Sequence, residues 1–165
     1  MRIFIVFGIV LLATVSHMSF AEEPSQGTAS ISGGRYLAII AGCNDCHTKG
    51  YMASEAKIPE KDWLTGDIAG WIGPWGTTYA PNLRLFFQNL SEDAWVDMAR
   101  KLQARPPMPW WALREMKDTD LRSIHRLIRS LGPAGQAGPS YQPPGQQPKP
   151  PYFRFVPPPG DMPAK

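Results

Sequence analysis

The chain is poor in the residues that staple or metallate small proteins. Only two cysteines occur in 165 residues, Cys43 and Cys46, which excludes a fold held by several disulfides. Histidine is almost as scarce, with His17, His47 and His125. Long apolar runs are missing too. The longest, residues 3–15, has about 13 residues where a bilayer span needs about 20. Nor is there an excess of charge of one sign: the formal charge is +3, and residues 22–131 carry thirteen basic and thirteen acidic side chains. A protein that binds nucleic acid through the phosphate backbone needs a broad basic footprint, so no nucleic-acid partner is expected. With 43% hydrophobic residues, the chain does contain enough apolar surface for a core.

The short apolar run follows Met1-Arg2 and precedes Ser19-Phe20-Ala21, whose small residues suit a signal peptidase. Residues 1–21 therefore read as an export signal, with a retained N-terminal anchor as the alternative. The expected location is the periplasm, with no membrane span in the mature chain.

Both cysteines fall in Cys43-Asn44-Asp45-Cys46-His47. A redox dithiol would follow a strand, and the residues before Cys43 do not alternate as a strand does. A zinc site needs four ligands, and after removal of residues 1–21 only His47 and His125 could add to the two thiols. The remaining reading uses every residue of the motif. Two thiols three apart add to the two vinyl groups of a haem, and the adjacent His47 becomes the proximal iron ligand. One haem c, covalent through Cys43 and Cys46, is the expected cofactor.

A thioether is the natural second axial ligand. Met52 lies five residues beyond His47, too near to reach the opposite haem face. Met98 and Met116 lie at apolar helical positions, and Met162 belongs to a proline-rich end. Met108 stands between Pro106-Pro107 and Pro109, which deny it a helix and hold it in an extended segment. It is the expected distal ligand.

Helical periodicity appears over residues 31–41, with Ser30 or Ser32 as a cap, Gly42 as a stop, and Tyr36, Leu37, Ile39 and Ile40 as the apolar positions. Ser91 opens a second helix with Trp95, Met98, Ala99 and Leu102 on one face. A short helical segment runs through Leu113 and Met116, and a last helix places Leu121, Ile124, Leu127, Ile128 and Leu131 inward. Arg122, Arg126 and Arg129 lie on its other side, a solvated face or a docking patch for an acidic partner. Glycine and proline punctuate residues 51–89, which read as loops with one short helix near residues 83–88. The many aromatics there call for a large apolar surface such as a porphyrin. Trp63, Trp75, Tyr79 and Asn82 are candidate neighbours of the haem propionates, with ordinary packing as the alternative.

Residues 33–131 resemble class I monohaem cytochrome c domains, most closely those associated with periplasmic alcohol, aldehyde or sugar dehydrogenases. The resemblance is carried by GRYLAIIAGCNDCHT, by Tyr79-Ala80-Pro81-Asn82-Leu83, by Met108-Pro109-Trp110 and by the final helix. It implies an all-α fold around one haem, a close crossing of the first and last helices, and Met108 as distal ligand. It further implies an electron-transfer protein rather than an enzyme, with a dehydrogenase as donor and another cytochrome or a terminal oxidase as acceptor. A haem enzyme or gas-binding protein with a vacant distal site is the competing class. The chain departs from the pattern at Arg84-Leu85, where family members often have Thr-Pro, and in its C-terminal end.

Residues 132–165 hold 11 prolines in 34 residues, which forbids a regular helix or a central strand. Tyr141, Tyr152, Phe153, Phe155 and Val156 interrupt the proline. The organisation expected is thus a signal peptide (1–21), a cytochrome domain (22–131) and an extension (132–165) packed in part, around residues 152–156, on the core or on a partner.

Overall fold

A computed structural model describes residues 27–155. The export-signal reading of residues 1–21, together with Val156 and Met162, lies outside the described residues. Among the described residues six α-helices form in chain order, α1 (Ile31–Ile40), α2 (Cys43–His47), α3 (Leu83–Phe86), α4 (Glu92–Lys101), α5 (Trp110–Glu115) and α6 (Asp118–Leu131), with a 3-10 turn at Glu60–Asp62. Three strands join them, β1 (Gly70–Gly73), β2 (Gly76–Tyr79) and β3 (Tyr152–Arg154). Among the described residues no helix is long and apolar enough to cross a membrane.

Local chemistry sets the helix starts. The Ser30 hydroxyl accepts from the Gly33 N–H at 3.0 Å, and Ser91 Oγ from the Ala94 N–H at 3.2 Å, each satisfying an N–H that has no partner inside its helix. Glu92 and Asp93 occupy the first turn of α4, and Arg100 and Lys101 its last, so both ends complement the helix dipole.

The core lies where α1 and α4 cross α6. Leu121, Ile124, Leu127 and Ile128 of α6 are buried against Ala38, Trp95, Val96, Ala99 and Phe87. The crossing with α1 is close because of Gly34: a methyl group there would overlap the Ser123 carbonyl and lie 2.8 Å from Leu127 Cβ. This closeness decides which positions of α1 are inside, and of its four large apolar positions Leu37 packs against the core. Gly34 and Ala38 turn inward, whereas Tyr36, Ile39 and Ile40 are exposed, because small residues let two backbones approach and large ones do not.

The all-α expectation is overturned. β1 and β2 form an antiparallel hairpin through Pro74-Trp75, and β3 adds in parallel on the other edge of β1, giving a mixed sheet in the order β2-β1-β3. The register sets Trp71 opposite Phe153 and Ile72 opposite Arg154. Glycines read as breakers lie at the strand ends, and the residues between them, Trp-Ile and Thr-Thr-Tyr, are good strand formers. The partner that completes the sheet comes from the proline-rich extension, about 80 residues away in sequence. β3 is an edge strand, the position that tolerates proline nearby.

The extension also supplies the apolar surface that the loop aromatics require. Phe153 stacks on Trp71 with ring centroids 4.6 Å apart, and Phe155 lies 5.6 Å from Trp75. The departure at Arg84 is explained here as well. Its buried guanidinium donates to the carbonyls of Lys61, Leu131 and Gly132, capping the C-terminal end of α6 where the extension begins.

Candidate functional site

Cys43, Cys46 and His47 share one helical turn, α2, delivered by α1 through Gly42. The turn is locked from inside. Thr48 Oγ1 donates to Asn44 Oδ1 at 2.7 Å and accepts from the Leu64 N–H at 2.8 Å, with Asn44 and Thr48 fully buried. The His47 carbonyl accepts from the Gly66 N–H at 2.7 Å.

The His47 imidazole is buried, and its Nδ1 lies 2.9 Å from the Pro81 carbonyl oxygen. A carbonyl can only accept, so the proton sits on Nδ1 and Nε2 carries the lone pair. Burial lowers the imidazole's affinity for a proton, although the Pro81 bond opposes this in part. The ring is thus neutral, fixed in one tautomer and oriented by its other nitrogen, as metal-ligating histidines are.

Both thiols are free. Burial pushes Cys43 up to about 11, with smaller contributions from Asp45 and Cys46. Cys46 is raised by burial and by Asp45 and Asp67. A thiol-disulfide catalyst needs a depressed thiol pKa, so these shifts run against the dithiol reading. Among the described residues no three His, Cys, Asp or Glu side chains gather as a metal site, which leaves zinc without its ligands.

Met108 is half-buried and packs against the core. It sits in a turn in which its N–H meets the Arg105 carbonyl at 3.3 Å and its own carbonyl accepts from Trp110 at 2.9 Å. Met116 also lies at the core edge, at the end of α5.

The four loop candidates separate. Trp63 is buried, with its indole N–H spent on the Ile58 carbonyl at 2.8 Å and its ring edge-on to Tyr51. Asn82 uses its amide N–H groups on the carbonyls of Ala134 (2.8 Å) and Gln136 (3.2 Å), while its oxygen caps α3 at Leu85. Neither has a donor left for a carboxylate. Trp75 Nε1 is buried and without a partner, as are the hydroxyls of Thr77 and Thr78 on the same hairpin. Tyr79 is half-buried at the end of β2.

Four residues to which sequence reasoning gave no role in the site complete it. Pro81 had been noted only as punctuation and as part of a motif, yet its carbonyl orients His47. Gly66, in the left-handed region at φ 81°, is pressed against this same segment: a methyl group there would lie 2.8 Å from the Asn82 nitrogen and 3.0 Å from the Pro81 carbonyl carbon. Thr48 and Asn44 act as an internal brace. The arginines of α6 are accounted for within the fold. Arg122 pairs with Asp93 and Glu92, Arg126 with Glu92 and the Ala29 carbonyl, and Arg129 with the carbonyls of Phe87 and Gln88. Arg122 and Arg126 thus form a surface ion-pair seam between α4 and α6, while Arg129 bonds to the carbonyls that precede α4.

No family profile matches the chain, and no solved structure matches it. It is similar to the fructose dehydrogenase cytochrome subunit of Gluconobacter japonicus, at 30% identity over 136 residues that cover 73% of this chain and 26% of the relative. The chain spans about a quarter of that relative's length. The similarity relates it to the dehydrogenase-associated cytochromes.

Proposed function

We propose that this chain is an exported c-type cytochrome that carries single electrons from a periplasmic dehydrogenase to another cytochrome or a terminal oxidase. The observation that carries the reading is the bond from His47 Nδ1 to the Pro81 carbonyl beside two free thiols on the same helical turn. A thiol pair alone fits several chemistries. A neutral, buried imidazole with its lone pair directed through Nε2 and both thiols one turn away fits a covalently held haem.

When bound, haem supplies a one-electron iron couple. Cys43 and Cys46 would anchor it through their two sulfurs. His47 would hold its iron through Nε2, and Met108 through its thioether. With both of these side chains engaged, no open site would be left for substrate, which favours outer-sphere electron exchange over catalysis. The relative is a dehydrogenase's cytochrome subunit, which supports a dehydrogenase as donor.

A spectroelectrochemical titration of the purified holoprotein tests the reading. It predicts one Nernstian wave of a single electron and no rapid carbon monoxide binding to the reduced form. Rapid carbon monoxide binding would assign the chain instead to haem enzymes or gas-binding proteins.

A further inference from the structure

The extension touches the segment that orients His47 and the segment that bears Met108. On the His47 side, Ala134 and Gln136 offer their carbonyls to Asn82, the residue after Pro81. A few residues on, Tyr141 reaches the other side: the Arg105 guanidinium lies over its ring, 3.8 Å from the centroid, and its hydroxyl donates to the Trp75 carbonyl at 2.8 Å. Gln142 then exchanges two backbone bonds with Thr77, at 2.8 and 3.0 Å, fixing Tyr141 against the hairpin.

The segment that Tyr141 meets packs on the core through Met108 but is tied by few hydrogen bonds. Among the described residues, 103–108 take part in only two hydrogen bonds, from the Met108 N–H to the Arg105 carbonyl and from the Trp110 N–H to the Met108 carbonyl. Prolines stiffen it but remove donors that could tie it down. Arg105 therefore opens the turn whose last residue is Met108, and its side chain's aromatic partner is Tyr141.

We propose that Tyr141 is a positioning residue for Met108: through Arg105 it clasps the Met108-bearing turn to the hairpin and so sets how often the thioether leaves the iron. The inference rests on the proposed function. A ligand whose segment is clasped has a smaller dissociated fraction, and any external ligand that needs the open site binds with an apparent affinity reduced by that fraction.

The test uses the full haem-loaded chain in its oxidised form, with imidazole as the competing ligand. Tyr141→Leu and Arg105→Met should each lower the apparent Kd for imidazole by about 2- to 5-fold, the range that a partly exposed cation–π contact supports. Arg105→Lys, which keeps the cation, and Tyr141→Phe, which keeps the ring, should fall between these and the wild type. Thermal melting of each variant is recorded alongside. A lower melting temperature with an unchanged imidazole Kd in Tyr141→Leu and Arg105→Met would make the contact merely structural and overturn the clasp. A wild-type protein without the far-red methionine-to-iron band would overturn the proposed ligand set itself, which separates the two failures.

Discussion

His47 donates from Nδ1 to the carbonyl of Pro81, 34 residues later in the chain, and Gly66 is wedged between the two segments that make this bond. One contact thereby decides the tautomer of the imidazole and the direction of its remaining lone pair. Gly66→Ala is expected to push the Pro81 segment away, since the new methyl group meets backbone and the left-handed φ adds strain of about 1 kcal/mol or more. The holoprotein should then show a shifted reduction potential and a melting temperature several degrees lower. Voltammetry with calorimetry on the variant checks both.

Arg84 ties the end of α6, where the extension begins, to the Lys61 segment. Arg84→Met should leave the carbonyls of Lys61, Leu131 and Gly132 without a donor, at a cost of about 1–3 kcal/mol. Arg84→Lys should recover only part of this, because an ammonium lacks the planar fork that spans several carbonyls. Denaturant unfolding measures the loss, and limited proteolysis after residue 131 should accelerate in step with it.

The seam between α4 and α6 gives a signed pH dependence. The Glu92 carboxyl is held below the ordinary carboxylate range chiefly by hydrogen bonds from Arg126, with Arg122 and His125 adding to the effect. Its contribution is present above the unfolded-state value of about 4.3 and disappears as pH falls through the lower folded-state value. The denaturation midpoint of the wild type should therefore fall more steeply than that of Glu92→Gln as the solution is acidified from about pH 5 to 3. Parallel curves would remove Glu92 from the account.

The helices were legible because each carries its own signals. Ser30 and Ser91 cap their first turns, and Leu121, Ile124, Leu127 and Ile128 repeat at the helical period. The cysteine-histidine turn was legible for the same reason, being contiguous. What sequence could not show depends on distant partners. The hairpin of β1 and β2 hides behind glycines that look like breakers, and β3 is a strand only because β1 presents an edge to it. On α1 the apolar period picks out Leu37, which packs against the core, but also Tyr36, Ile39 and Ile40, which are exposed, because Gly34 and Ala38 win the interior by being small. Of the loop candidates, Trp63 and Asn82 turned out to be committed to carbonyls that no local pattern reveals.

Met108→Ala isolates the distal position. The variant should lose the far-red band, bind carbon monoxide when reduced, and show a lower reduction potential, because loss of the thioether removes the ligand that favours the ferrous state. A Met116→Ala control should leave all three unchanged. The reverse pattern in the two variants would move the ligand to Met116.

The most direct test of the central claim is the mass and haem content of the native protein after acid denaturation and extraction with acidified organic solvent. The account predicts that one haem stays with the polypeptide, raising its mass by one haem, and that Cys43→Ala and Cys46→Ala together abolish this. Haem that passes into the organic phase, or a wild-type polypeptide at its unmodified mass, would contradict it.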